Sequence, residues 1–286
     1  MKYDNPVSRR MLDIKHNRLI YIGENATPEL WDSLWNLDKT TVQSGLQPSP
    51  GVDQLAHFTK RFLNPSEGPI LEGGCGKGQF VASLQRAGFT AIGLDFANES
   101  VKALNKHAPE LDIRFGDLRA INMPNESVAG FWSLGVIEHF WSGYEPLLTE
   151  MARVVKNDGY LFCSFPYMNP LRRLKARAGL YPKCESQIEP SGFYQFALDY
   201  RTVIRDFSKF GFQFIEAKSS SGLKGALGEF GIFSSMLERL YYYPGSSICI
   251  RGIRKCLETL FCAFGTGHSI QIVFRKVIRV GDGLNL

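Results

Sequence analysis

The chain has no uninterrupted apolar run long enough to span a bilayer. Its opening, Met1 to Pro6, lacks the apolar core of a signal peptide. Cysteines are few, at 75, 163, 184, 249, 256 and 262, and no C-x-x-C pair occurs among them, so reduced thiols in a cytoplasmic setting are expected. Histidine is scarcer: His16, His57, His107 and His268 have no partner pattern and read as structural or exposed. Neither sign of charge dominates. A formal net charge of +5 permits an anionic partner without requiring nucleic acid, and the basic residues are spread, with no stripe of interleaved stacking aromatics. What remains is ordinary globular composition, with 286 residues to bury a sizeable core as one α/β domain with additions.

The informative stretch is Pro69-Ile-Leu-Glu-Gly-Gly-Cys-Gly-Lys-Gly78. It reads as a short buried strand running into a glycine-rich turn, with the carboxylate of Glu72 at the strand's end. Gly74, Gly76 and Gly78 allow φ > 0 and leave no Cβ to block a ligand on the loop. Phe80, Val81 and Leu84 then open a helix whose first N–H groups point back at that spot. A dinucleotide loop wants G-x-G-x-x-G, but here the spacing is G-x-G-x-G and an anion would sit close to Glu72. A P-loop wants G-x-x-x-x-G-K-[ST], but position 71 is Leu and position 78 is Gly. Neither phosphate pattern fits. A carboxylate beside a glycine turn suits a cationic ligand such as the amino group of a methionine moiety, which points to S-adenosylmethionine.

Four more apolar runs follow. Thr90 to Asp95 ends in an acid that can accept both ribose hydroxyls of a nucleoside. Asp112 to Asp117 ends in another, placed to accept from an adenine amino group; Val128 to Gly135 and Gly159 to Ser164 complete the series. Helical patterns separate them, among them Val101 and Leu104 behind an expected Asn98 cap, and Leu147, Leu148, Met151, Val154 and Val155. Strands alternating with helices at this interval predict an α/β, doubly wound parallel sheet, with its ligand at the carboxyl ends of the strands.

Through ILEGGCGKG, GLDFANESV, GDLRAINMP, SLGVIEHF and MARVVKNDGYLFCSFP, about residues 68–165, the chain resembles the class I S-adenosylmethionine-dependent methyltransferases, particularly the group with the quinone-biosynthesis and small-molecule enzymes. Residues 199–218 and 268–276 fit the last strands more loosely. The resemblance implies a mostly parallel seven-stranded sheet and S-adenosylmethionine as methyl donor. By it, Glu72, Gly74, Gly76 and Gly78 bind the methionine end and sulfonium side. Asp95 holds the ribose, Phe96 flanks the adenine, and Asp117 with the Leu118 backbone reads its edge. Ser133 and Leu134 contribute backbone at the mouth.

On this division residues 1–60 are an N-terminal helical cap and 61–286 the methyltransferase domain, with insertions at about 166–195 and 220–265. In the cap, Thr27-Pro28 is a helix start with Leu30, Trp31, Leu34 and Trp35 behind it, and Val52, Leu55, Phe58 and Phe62 suggest a second helix. These helices either cover a sheet edge or close over cofactor and acceptor. In the first insertion, Leu171, Leu174 and Ala178 share one helical face, and Arg172, Arg173, Lys175 and Arg177 make the other basic. That face is either solvated or receives an anionic acceptor. In the second, a helical insertion before the last strand, Cys249, Ile250, Ile253, Cys256, Leu257, Leu260, Phe261 and Phe264 form a stripe opposite Arg251, Arg254, Lys255 and Glu258, and Ile232, Phe233, Met236, Leu237 and Leu240 form a shorter one. Such helices bury their stripes, or lie through 232–264 on an anionic membrane.

A sulfonium methyl needs no protein nucleophile, so the enzyme's work is alignment and, for a hydroxyl acceptor, removal of a proton. His139 is the candidate base, with Glu138 adjacent in sequence; alternatively His139 fixes the exit of the fourth strand. Gly135 stands where quinone O-methyltransferases carry a further acid, and Glu138 with His139 are too few ligands, so no metal is expected. Nucleic acid is not the expected acceptor. Enzymes acting on adenine amino groups resemble one another in a [DNS]-P-P-[YF] segment after the fourth strand, where this chain has Ser133-Leu-Gly-Val136. The expectation is therefore methyl transfer to a small-molecule or lipid/sugar-linked acceptor, at oxygen. A non-catalytic sensor of S-adenosylmethionine, or a transferase of the same fold donating another group, stays as the alternative.

Overall fold

In this computed structural model, residues 7–184, 189–230, 248–277 and the single positions 238 and 241 are described. The chain divides into two compact units, one of residues 1–24, 164–203 and 217–272, the other of 25–163, 204–216 and 273–286.

The larger unit holds most of a seven-stranded sheet. Its strands are β3 (Ile70–Gly73), β4 (Ala91–Asp95), β5 (Asp112–Phe115), β6 (Val128–Leu134), β7 (Val155–Pro166), β10 (Phe212–Ser220) and β11 (Ser269–Lys276), in the order β10-β11-β7-β6-β3-β4-β5. The pairs β3–β4, β3–β6 and β4–β5 are parallel. β3 and β4 are buried along their whole length, as strands covered on both faces must be, which is why they read as continuous apolar runs. The order reverses at β3, with β4 on one side and β6 on the other. A crevice at such a reversal, beyond the carboxyl ends of β3 and β6, is where ligands of doubly wound sheets bind.

Helices α4 (Gln79–Arg86), α5 (Asn98–His107) and α6 (Glu145–Val154) are the crossovers. The sequence placed a cap at Asn98; instead Ala97 occupies the cap position and offers no side-chain bond. Asp32, from α1 (Pro28–Trp35), supplies it: its carboxylate accepts from the N–H of Ser100 at 2.8 Å and of Glu99 at 3.3 Å. α2 (Lys39–Gly45) and α3 (Pro50–Thr59) follow. Phe58 and Phe62 meet the buried pair Trp132 and Phe162, which stack at 4.4 Å, and Trp132 Nε1 donates to Thr59. α3 therefore covers a sheet face. α1 goes elsewhere, to the glycine turn.

The smaller unit overturns part of the N-terminal expectation. Residues 7–23 are not helical: β1 (Val7–Asp13) and β2 (Arg18–Gly23) form an antiparallel hairpin, with Asn17 at φ 50° in the turn. Here Leu19, Ile20, Tyr21 and Ile22 are all buried, and so form a strand sandwiched on both sides. With β8 (Lys183–Cys184) and β9 (Phe193–Ala197) they make a four-stranded sheet in the order β8-β1-β2-β9. Leu12, Leu19, Tyr21 and Ala197 pack with Met168 and Tyr181 on one of its faces.

In α7 (Pro170–Arg177), N-capped by Asn169, the expected faces are exchanged. Arg172 is wholly buried and Leu174 is 63% exposed. Arg172 can be buried because Glu229 neutralises it and carbonyls of Tyr167 and His268 take its other donors. After α8 (Tyr200–Lys209), α9 (Gly222–Glu229) lies against α10 (Ile248–Ala263), where Glu258 caps α9 through the N–H groups of Gly222 and Leu223. The expected stripe of α10 splits: Phe261 packs on Leu223 and Ala226, whereas Ile253, Leu260 and Phe264 are exposed. The side chains of Cys249 and Ile250, and the shorter stripe from Ile232 to Leu240, lie outside the described residues. No described helix is long and apolar enough to cross a membrane.

Candidate functional site

The site is built where β3, β4 and β6 end. β3 delivers Glu72 into the interior, 4% exposed, and the chain then turns through Gly74, Gly76 and Gly78 at φ 75°, 51° and 68°. These left-handed values are open to glycine and strained for L side chains. The turn is crowded as well. A Cβ on Gly74 would come within 2.6 Å of Val136 Cγ2, and one on Gly76 within 3.0 Å of Trp35 Cζ2. Trp35 of α1 thus lies directly on the glycine turn, Trp31 packs beside it at 5.5 Å, and His139 meets Trp31 edge-on at 5.2 Å. The Asp32 cap on α5 fastens this aromatic pair in place.

The two deep acids differ. Asp95 is 2% exposed and links the strand tips: Oδ2 accepts from Gly76 N–H at 2.8 Å and Oδ1 from Ala97 N–H at 2.9 Å. Burial pushes its carboxyl above the usual range against the lowering effect of these bonds. Glu72 has less support. A backbone bond from Val81 in the first turn of α4 opposes burial and the nearby Asp95 charge, which together push its carboxyl well above the usual range. Glu72 Oε2 is buried with no hydrogen-bond partner among the described residues. A buried acceptor left bare costs free energy on the order of 1–3 kcal/mol unless a donor arrives. An ammonium group is such a donor, and it would also restore the charged form of the acid. The cradle therefore fits a cationic ligand group.

The remaining expected residues are less uniform. Phe96 is 40% exposed beside Asp95, a ring presented to a ligand plane. Asp117 lies at the surface, its carboxylate held below its usual pKa by the Arg119 side chain, which it binds through Nε and Nη2. Leu118 is buried, reaching under Gly73. Ser133 stands beside Gly73 in the β3–β6 pairing, fully buried, with Leu134 next to it. Glu138 and His139 share a short 3₁₀ turn, Ile137–His139, but diverge. Glu138 is buried, close enough to help burial raise the Cys163 thiol; His139 is half-buried against Trp31. Sequence reasoning missed Asp32, Val136 and Cys75; the thiol of Cys75, 5% exposed, is driven up by burial and by Glu72 and Asp95.

Residues 71–163 match a family model described as a methyltransferase domain. A relative from Mycolicibacterium smegmatis, named "Probable S-adenosylmethionine-dependent methyltransferase", is 32% identical over 97 residues, covering 34% of this chain and 37% of its own. The ubiquinone biosynthesis O-methyltransferase of Paracidovorax citrulli is 32% identical over 142 residues, covering 48% and 58%. The chain therefore spans between about a third and three-fifths of these curated relatives. The crystal structure of geranyl diphosphate C-methyltransferase from Streptomyces coelicolor shares the fold, with a TM-score of 0.51 and 14% identity over 88% of this chain and 100% of that one.

Proposed function

We propose, from the premise that residues 71–163 are a class I S-adenosylmethionine-dependent methyltransferase domain, that the whole protein transfers a methyl group to the oxygen of a small-molecule or lipid/sugar-linked acceptor. The observation that carries this reading is the bare, buried Oε2 of Glu72 beside a glycine turn in the left-handed region.

Glu72 would receive the ammonium of the cofactor's methionine end, and Gly74, Gly76 and Gly78 would let the backbone approach it. Asp95 already spends one lone pair of each oxygen on backbone N–H groups, which fixes the carboxylate and leaves acceptor capacity for ribose hydroxyls. Phe96 would flank the adenine, Asp117 and the Leu118 backbone would read its edge, and Ser133 and Leu134 would frame the mouth. When bound, the cofactor supplies a methyl group already activated by its sulfonium. The protein's own work is positioning, which in favourable cases removes about 7–11 kcal/mol from a bimolecular barrier. Trp31 and Trp35 exclude water above the turn. His139 takes the acceptor's proton, with Glu138 buried beside it in the same 3₁₀ turn.

The relative named as a ubiquinone biosynthesis O-methyltransferase and a histidine able to serve as a general base favour oxygen as the atom methylated. Calorimetry with S-adenosylmethionine and S-adenosylhomocysteine tests the cofactor, and transfer of a radiolabelled methyl group to metabolites of a cell extract tests the reaction. Absence of heat with both ligands refutes the reading; binding without any labelled product leaves a sensor and refutes the transferase.

A further inference from the structure

Within the smaller unit, three cations converge on one acid. The Glu229 side chain is fully buried; its Oε1 meets Arg10 Nη1 at 2.6 Å and Arg172 Nε at 3.1 Å, and its Oε2 meets Lys175 Nζ at 2.8 Å. Tyr181 donates its hydroxyl to Oε2 at 2.6 Å. Arg172 Nη2 lies 3.0 Å from His268 Nδ1, and burial with the surrounding cations drives that imidazole well below its usual range, so it adds no charge. The cluster's charge does not close. Three cations face one carboxylate, and unbalanced charge in or near a protein interior is costly. The excess lies toward one end, because the Arg10 and Lys175 side chains are 26% and 21% exposed while Arg172 is 1%.

A second feature points the same way. Tyr21 sits directly opposite Arg10 in the β1–β2 pairing, so both side chains leave the same face of the sheet. Arg172 Cζ lies 6.0 Å from the Tyr21 ring centre. The residue is 5% exposed, yet its hydroxyl is buried with no hydrogen-bond partner among the described residues. Buried phenol groups ordinarily find one.

We propose that Arg10, Lys175 and the Tyr21 hydroxyl form a subsite for a single oxyanion, a phosphate or carboxylate carried by a small molecule. Tyr21 donates its O–H to the anion, and Arg10, which spends Nη1 on Glu229, has further N–H donors to offer. Glu229 does not repel the anion, since four donors hold it; it aims the two partly exposed cations. Phosphate and carboxylate share this chemistry, and charge-assisted bonds to either are strong and directional. The subsite belongs to the smaller unit alone and stands whether or not the larger unit transfers a methyl group.

The test is calorimetric titration of the full chain with inorganic phosphate and, separately, with succinate. Saturable binding of at least one is expected, and the tighter of the two identifies the group. Tyr21→Phe and Arg10→Ala should each weaken it about tenfold or more, whereas Lys255→Ala, on the exposed face of α10, should leave it unchanged. Tyr21→Phe removes a hydroxyl that bonds to nothing described, so it keeps the fold and decides the matter if Arg10→Ala misfolds. Failure of the unmodified protein to bind either anion saturably overturns the proposal, as does equal affinity in Tyr21→Phe. Titration of the same samples with S-adenosylmethionine separates this outcome from failure of the methyltransferase reading.

Discussion

Asp32 on α1 accepts from the backbone N–H of Ser100 at 2.8 Å and from its hydroxyl at 2.6 Å, and so caps helix α5 from 68 residues away in sequence. The bond does two things. It satisfies the first turn of a helix whose own cap residue, Ala97, has no side-chain acceptor. It also pins α1, with Trp31 and Trp35, over the glycine turn.

Replacing Asp32 by Ala should therefore cost about 1–2 kcal/mol of stability, the usual loss for an N-cap, measured by urea unfolding. Asp32→Asn, which keeps an acceptor oxygen, should lose less. Cofactor affinity should fall with Asp32→Ala, because the aromatic cover is no longer fastened. Stability equal to the unmodified protein would show that the cap is replaced by solvent.

Glu72 gives a prediction with a definite sign. Its folded carboxyl titrates well above the ordinary value of 4.5, through burial first and Asp95 second. The folded state then holds a proton that the unfolded state releases, so this group withdraws stability as pH rises above 4.5. Glu72→Gln should flatten that decline, leaving the ligand-free variant at least as stable at neutral pH while cofactor affinity collapses. Binding should also expel the proton. Calorimetry in buffers of different ionisation enthalpy should detect its release in the native protein.

These two residues mark where sequence reading succeeds and where it stops. Glu72, Gly76 and Asp95 were legible because each follows a short apolar run: the strand pattern itself says which residue stands at the strand's end. The Asp32–Ser100 bond was not, since nothing local to Ala97 or Asn98 says that its acceptor lies on another helix. Burial of Arg172 was missed for the same reason; its partner Glu229 is 57 residues away, and locally the segment reads as a basic face. The hairpin of residues 7–23 did leave a signal, the run Leu19 to Ile22 closed by Gly23. The charged residues flanking that run obscured it, and helix signals at Thr27-Pro28 drew the whole N-terminus toward a helical reading.

His139 can be separated from its neighbour. If it removes the acceptor's proton, His139→Ala should lower kcat by about 10²–10⁴-fold and leave the dissociation constant for S-adenosylmethionine within about twofold. Equal losses in turnover and in cofactor affinity would reduce His139 to a support for Trp31, its edge-on partner at 5.2 Å.

Glu229 responds to pH in the opposite direction from Glu72. Burial alone would raise its carboxyl, but Arg10 and Arg172, with hydrogen bonds from Lys175 and Tyr181, outweigh it and hold the group below 4.5. A depressed acid contributes stability above its unfolded value and loses it as pH falls through the folded one, so the smaller unit should weaken below pH 4.5. Glu229→Ala should reproduce that loss at neutral pH, by about 3–5 kcal/mol, because it leaves Arg172 buried and uncompensated. Hydrogen exchange locates the effect: amides of β1, α7 and α9 should lose protection while those of β3 and β4 keep theirs. Uniform loss across both sets would mean that the cluster supports the whole chain and that the smaller unit is not a separate cooperative element.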